Sequence, residues 1–144
     1  MVCRITGAFI GFVLPAVLIF ISAASSATAQ NYTSAGPITF SNGVAAAVPY
    51  PSPIYVGTNG AASLPGTIQT VIVTLNNFNC QVLEDVSVMV EAPNGTAFEI
   101  MSGAGGTMSF SEGNLVISDS ASSSMPVSAF GPGTYKPTVY PHRR

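Results

Sequence analysis

Residues 67–101, TIQTVIVTLNNFNCQVLEDVSVMVEAPNGTAFEIM, decide the fold, because nowhere else does a period-two apolar pattern run long enough to define a core. In the first half, Val71, Val73 and Leu75 share one side of an extended chain, while Thr70, Thr74 and Asn76 share the other. In the second, Val86, Val88, Val90 and Ala92 alternate with Asp85, Ser87, Met89 and Glu91. Both runs read as half-buried strands. Phe98 and Ile100, around Glu99, form a third run after Pro93-Asn94-Gly95-Thr96, where Asn-Gly supplies two residues that tolerate positive φ and so predicts a hairpin. Asn77 to Leu83 holds no strong turn dipeptide and is long for a tight hairpin. It predicts a connection crossing between two sheets, with Phe78 and Leu83 capping one end of the core.

Outside this stretch the elements are shorter. Ile38-Thr39-Phe40 reads as an edge strand before the turn Ser41-Asn42-Gly43, and Ile54-Tyr55-Val56 as a short strand closed by Gly57. Leu64 sits in a loop from which it would fold back on the core. Downstream, Met108-Ser109-Phe110 alternates, Gly113-Asn114 predicts a turn into Leu115-Val116-Ile117, and Asp119 to Pro132 reads as a Ser-rich surface loop. Short strands separated by Gly, Asn and Pro predict an all-β sandwich, and no apolar period of 3.6 survives these breakers to support a helix.

The first thirty residues differ from the rest. Arg4 forms a short basic head, Ile5 to Ile21 is an apolar run, and Ala27-Thr28-Ala29 has the small-residue pattern that signal peptidase reads. Residues 1–29 therefore read as a secretory signal peptide, with the mature chain beginning near Gln30; an uncleaved signal anchor is the alternative. The mature chain suffices for one domain, placed outside the cytoplasm and without a stable membrane span once the signal is removed. Over the 144 residues only 7% are charged, with a formal net charge of −2. That balance excludes the basic stripe that nucleic-acid binding requires. Cys3 leaves with the signal peptide, so Cys80 cannot form an intramolecular disulfide; it reads as a buried thiol packing as a small hydrophobe, or as a site of intermolecular pairing.

Catalytic constellations are missing from the pattern. The single His, His142, lies close to the last residue, too exposed to fraying to serve as the base of a Ser triad. Gly103-Ala104-Gly105-Gly106 lacks the Lys and the helix that a phosphate-cradling loop needs. Glu84, Asp85 and Asp119 sit at strand–loop junctions, where carboxylates suit Ca2+, and they form the candidate calcium set beside the simpler reading as solvated strand ends. Asn31-Tyr32-Thr33 and Asn94-Gly95-Thr96 are N-glycosylation sequons in a eukaryotic secretory route. Tyr32, Tyr50, Tyr55, Tyr135 and Tyr140 offer rings on which sugars could stack.

Several of these segments together resemble a known module. Val71-Ile72-Val73-Thr74-Leu75-Asn76-Asn77-Phe78, then Glu84-Asp85-Val86-Ser87-Val88-Met89-Val90 and Ala92-Pro93-Asn94-Gly95 are similar to the P domain (P/Homo B domain) that follows the catalytic domain of subtilisin-like proprotein convertases. The module also recurs in bacterial secreted proteins. Tyr50-Pro51-Ser52-Pro53-Ile54-Tyr55-Val56, Leu115 to Ala121 and Gly133-Thr134-Tyr135-Lys136-Pro137-Thr138 extend the likeness over residues 40–140, although Cys80 stands where the family often has His and Ser118 where it has Asp. The resemblance implies a β-sandwich of jelly-roll, galactose-binding-like type over residues 30–144, incomplete at its C-terminus. It also implies a non-catalytic accessory or interaction role toward a protease, another secreted module or a cell-surface component. A carbohydrate-binding module is the alternative, and a glycosidase using Glu84 and Asp119 a more distant one.

Overall fold

The computed structural model describes residues 29–40, 45–56 and 67–141; the segment read as a signal peptide up to residue 28, the turn expected at residues 41–43, Gly57, Leu64 and His142 fall outside the described residues. The chain is all-β. Strands β1 (Val73–Cys80), β2 (Val88–Glu91), β3 (Ala97–Ser102), β4 (Phe110–Ile117), β5 (Gly133–Tyr135) and β6 (Thr138–Val139) form two three-stranded sheets, ordered β1-β4-β5 and β2-β3-β6. Each sheet is mixed: β1–β4 and β2–β3 are antiparallel, while β4–β5 and β3–β6 are parallel.

The connection from β1 to β2 crosses between the sheets as expected, but it starts later than expected: Asn77 to Cys80 belong to β1, and residues 81–87 make the crossing. A 3-10 turn, Leu83–Asp85, carries the crossing. Its Leu83 N–H donates to the Met108 carbonyl at 3.0 Å and its Glu84 N–H to the Gly106 carbonyl at 3.1 Å, so the turn is fastened to the loop between β3 and β4. Gly105 in that loop has φ +83, and a Cβ there would overlap the Leu83 side chain.

The register of β1 against β4 explains which residues reach the core. Val73 faces Ile117 and Leu75 faces Leu115, then an extra residue on β1 lets Phe78 face Gly113, and an extra residue on β4 lets Cys80 face Phe110. Asn77 and Glu112, the non-glycine residues with positive φ among the described residues (50° and 36°), mark these two bulges. An odd-numbered inward set, Val73 and Leu75, thereby gives way to an even-numbered one, Phe78 and Cys80; β4 changes phase in the same way, from Leu115 and Ile117 to Phe110. Without the bulges, Phe78, Cys80 and Phe110 would point to solvent.

The β2–β3 hairpin keeps the alternation expected of it: Val86, Val88, Val90 and Ala92 are half-buried and Ser87, Met89 and Glu91 exposed. The turn differs from expectation. Ala92 O accepts from Gly95 N–H at 2.9 Å and Ala92 N–H donates to Thr96 O at 2.8 Å, with positive φ at Gly95 alone (82°) and not at Asn94. This is a three-residue loop in which Pro93 and Asn94 take ordinary turn angles, Gly95 takes the left-handed one, and the Asn94 Oδ1 accepts from Thr96 N–H at 3.0 Å.

Buried side chains from both sheets make one core: Phe78 and Cys80 from β1, Met101 from β3, Phe110, Leu115 and Ile117 from β4, with Leu83, Ala104 and Met125 from the connections. A row of rings runs through it. Phe40, Phe78, Phe110, Phe130 and Tyr135 meet in sequence with centroids 6.2, 5.3, 6.0 and 5.0 Å apart, all within the range where tilted and edge-on pairs attract.

Four expectations are corrected. Gly113-Asn114 is no turn but the middle of a continuous β4, where the absent Cβ of Gly113 leaves room for the Pro132 ring. Phe98 is 62% exposed, because the hairpin extends past the core. Ile54-Tyr55-Val56 forms no strand and is exposed, having no paired neighbour among the described residues. The Ser-rich loop is not wholly superficial, since it carries Ala121 and the fully buried Met125. Met125 N–H donates to Thr138 Oγ1 at 3.1 Å and Met125 O accepts from Tyr140 Oη at 3.0 Å, so β6 and the residue after it hold the loop down. Burying such a side chain contributes roughly 1.5–3 kcal/mol.

Candidate functional site

Glu84 is half-buried and Asp85 exposed, both in the 3-10 turn; Asp119 is exposed in the turn after β4. The sequence places all three at strand–loop junctions, and that is where they lie. They do not converge: no group of three or more His, Cys, Asp or Glu side chains able to hold a metal ion exists among the described residues. The two neighbours share one turn whose backbone is committed to the β3–β4 loop, and nothing folds Asp119 onto them as a third ligand.

Of the tyrosines, Tyr135 and Tyr140 are half-buried and their hydroxyls are engaged, donating to Gly131 O at 3.1 Å and Met125 O at 3.0 Å. They are structural. Tyr50 and Tyr55 are each 67% exposed. Cys80 is buried, and burial pushes its thiol above the ordinary range, partly offset by a hydrogen bond with the Phe110 backbone. That makes it a packing residue and a poor nucleophile.

Two sheet faces remain as surfaces that could do chemistry. On the hairpin sheet, Met89 pairs with Glu99 and Glu91 with Ala97; Ser87, Met89, Glu91 and Glu99 are exposed, with Asp85 exposed just ahead of the strand. The face thus offers one flexible apolar side chain, Met89, with Glu99 opposite it on β3 and Glu91 two residues along β2.

The outer face of β1–β4 is hidden in the sequence. At each bulge two consecutive side chains turn outward together, Asn76 with Asn77 on β1 and Ser111 with Glu112 on β4, joined by Thr74, Asn79 and Asn114 at the ordinary outward positions. All are exposed. Asn114 Oδ1 accepts the Asn77 backbone N–H at 3.1 Å, while the side chains of Asn76, Asn77, Asn79, Ser111 and Glu112 make no hydrogen bond among the described residues. The one signal in the sequence is an Asn-Asn pair in a run otherwise rich in β-formers.

No helix among the described residues is long and apolar enough to cross a membrane. Compared with known proteins, the chain matches no family model, no curated protein and no solved structure.

Proposed function

We propose that the chain is an exported, non-catalytic β-sandwich module, similar to the P domain and of jelly-roll, galactose-binding-like type, that serves as an interaction or accessory unit for another secreted or cell-surface protein. The observation that carries this reading is the exposed Met89–Glu99 pair with Ser87, Glu91 and Asp85 around it. An adaptable thioether among carboxylates suits a partner surface with an apolar patch inside a basic rim. Two sheets sharing one core, with the chain passing between them at Leu83–Asp85, support the sandwich.

Chemical cross-linking of the full chain to the proteins secreted alongside it tests the reading. A discrete adduct formed by the wild type and lost in Met89→Lys/Glu99→Lys supports it. Adducts formed equally by both proteins would remove the hairpin face from consideration.

A further inference from the structure

We propose that the outer face of β1–β4 is a binding site for a neutral polysaccharide, a reading independent of the hairpin face and of any protein partner. Three observations converge on it. The first is composition: Thr74, Asn76, Asn77, Asn79, Ser111 and Asn114 are amides and hydroxyls, with Glu112 the one charged group among them. Each amide presents donors and an acceptor at once, which matches the paired donor and acceptor character of vicinal sugar hydroxyls.

The second is availability. The side chains of Asn76, Asn77, Asn79, Ser111 and Glu112 spend no hydrogen bonds within the described protein, and they stand on paired strands of a sheet, where position is better fixed than on a loop. The third is backbone cost. Glu112 holds positive φ, an arrangement that destabilises such a residue, and Asn77 holds it at little cost; the result of the two bulges is to crowd polar side chains onto one side of the ladder. From Asn76 to Asn79 the face runs about 10 Å along the strand, room for a short stretch of linked sugar rings. Glu112 accepts hydrogen bonds from hydroxyls and repels acidic polymers, which is why the ligand class is neutral.

The test is retention of the full chain on microcrystalline cellulose, chitin and granular starch, and its retardation in native gels containing soluble neutral glucans, mannans or galactans. Three proteins are compared: wild type, Asn76→Ala/Asn77→Gly/Asn79→Ala, and Glu91→Gln on the hairpin sheet. Glycine at position 77 keeps the backbone angle while deleting the amide, and Ser111→Ala/Glu112→Gly strips the same face from β4 should the first variant fail to fold. The expected result is saturable retention on at least one polymer, weakened about tenfold or more by either face variant and unchanged by Glu91→Gln. Absence of retention on every polymer overturns the proposal, as does retention that the face variants leave intact or that Glu91→Gln reduces equally. The cross-linking experiment reads the hairpin face by itself, so either reading can fail alone.

Discussion

The backbone N–H of Asn77 donates to Oδ1 of Asn114 across the β1–β4 ladder at 3.1 Å. A bulge leaves one backbone donor without its ladder partner, and here a side chain from the facing strand takes over. Asn114→Ala should therefore cost about 0.5–1.5 kcal/mol. Asn114→Asp, which keeps an acceptor oxygen, should cost less. Urea unfolding with an unchanged slope is the measurement; equal losses in the two variants would show that the bond contributes nothing.

Glu112 holds φ 36° on an exposed strand position. A β-branched residue tolerates that region worst, so Glu112→Val should destabilise by about 1–2 kcal/mol. Glu112→Gly should destabilise less, or not at all, and midpoints of thermal unfolding would rank the two. If valine proves as stable as glycine, the β4 bulge relaxes without cost.

Gly95 and Gly105 share almost the same φ, +82 and +83, but differ in what surrounds them. A Cβ at Gly95 meets nothing within 4 Å, whereas one at Gly105 would overlap Leu83. Gly95→Ala should cost only the left-handed backbone penalty of about 1–2 kcal/mol. Gly105→Ala should cost more, and the difference isolates the packing of the 3-10 turn onto the β3–β4 loop. Equal losses in denaturant would mean that Leu83 simply moves aside.

Met125 is fully buried in a loop that contains few other apolar anchors. Met125→Ala should lose about 2–5 kcal/mol and Met125→Leu less than about 1.5 kcal/mol. Denaturant midpoints measure both. A loss below about 1 kcal/mol for alanine would place Met125 outside the cooperative core.

Burial raises the pKa of the Cys80 thiol in the folded protein above its unfolded value. The neutral thiol is thus favoured in the native state, so this contribution is fully present below about pH 8.5, the ordinary thiol pKa, and is lost as pH rises toward the folded value. Stability measured from neutral to alkaline pH should fall less steeply in Cys80→Ala than in the wild type. Native Cys80 should also resist a thiol reagent that labels it at once in urea.

The alternation of Val86 to Ala92 survives into the structure because no extra residue interrupts it on the β2 side; the register shift against β3 falls on the partner strand, where Ile100 is the added residue. Parity fails in β1 and β4 because it assumes an uninterrupted pleat. One inserted residue at Asn77 and another at Glu112 send Phe78, Cys80 and Phe110 inward against the phase of their neighbours. Gly113-Asn114 resembles a turn locally, yet Gly113 is there for the approach of Pro132, a residue far along the chain. Met125 is equally unreadable, since its burial depends on Thr138 and Tyr140, 13 and 15 residues away. The acidic residues are legible in their places along the chain, but their separation in space is a property of topology that neighbouring letters do not encode.

β5 and β6 are separated only by Lys136 and Pro137, yet β5 completes the sheet of β4 and β6 completes the sheet of β3. A nascent chain therefore lacks the last strand of one sheet until residue 135 has emerged and of the other until residue 139 has, and one short segment then closes both in close succession. Because these pairings are parallel and reach far back in sequence, folding should be slow for the domain's size, with both sheets appearing in a single phase once the segment docks.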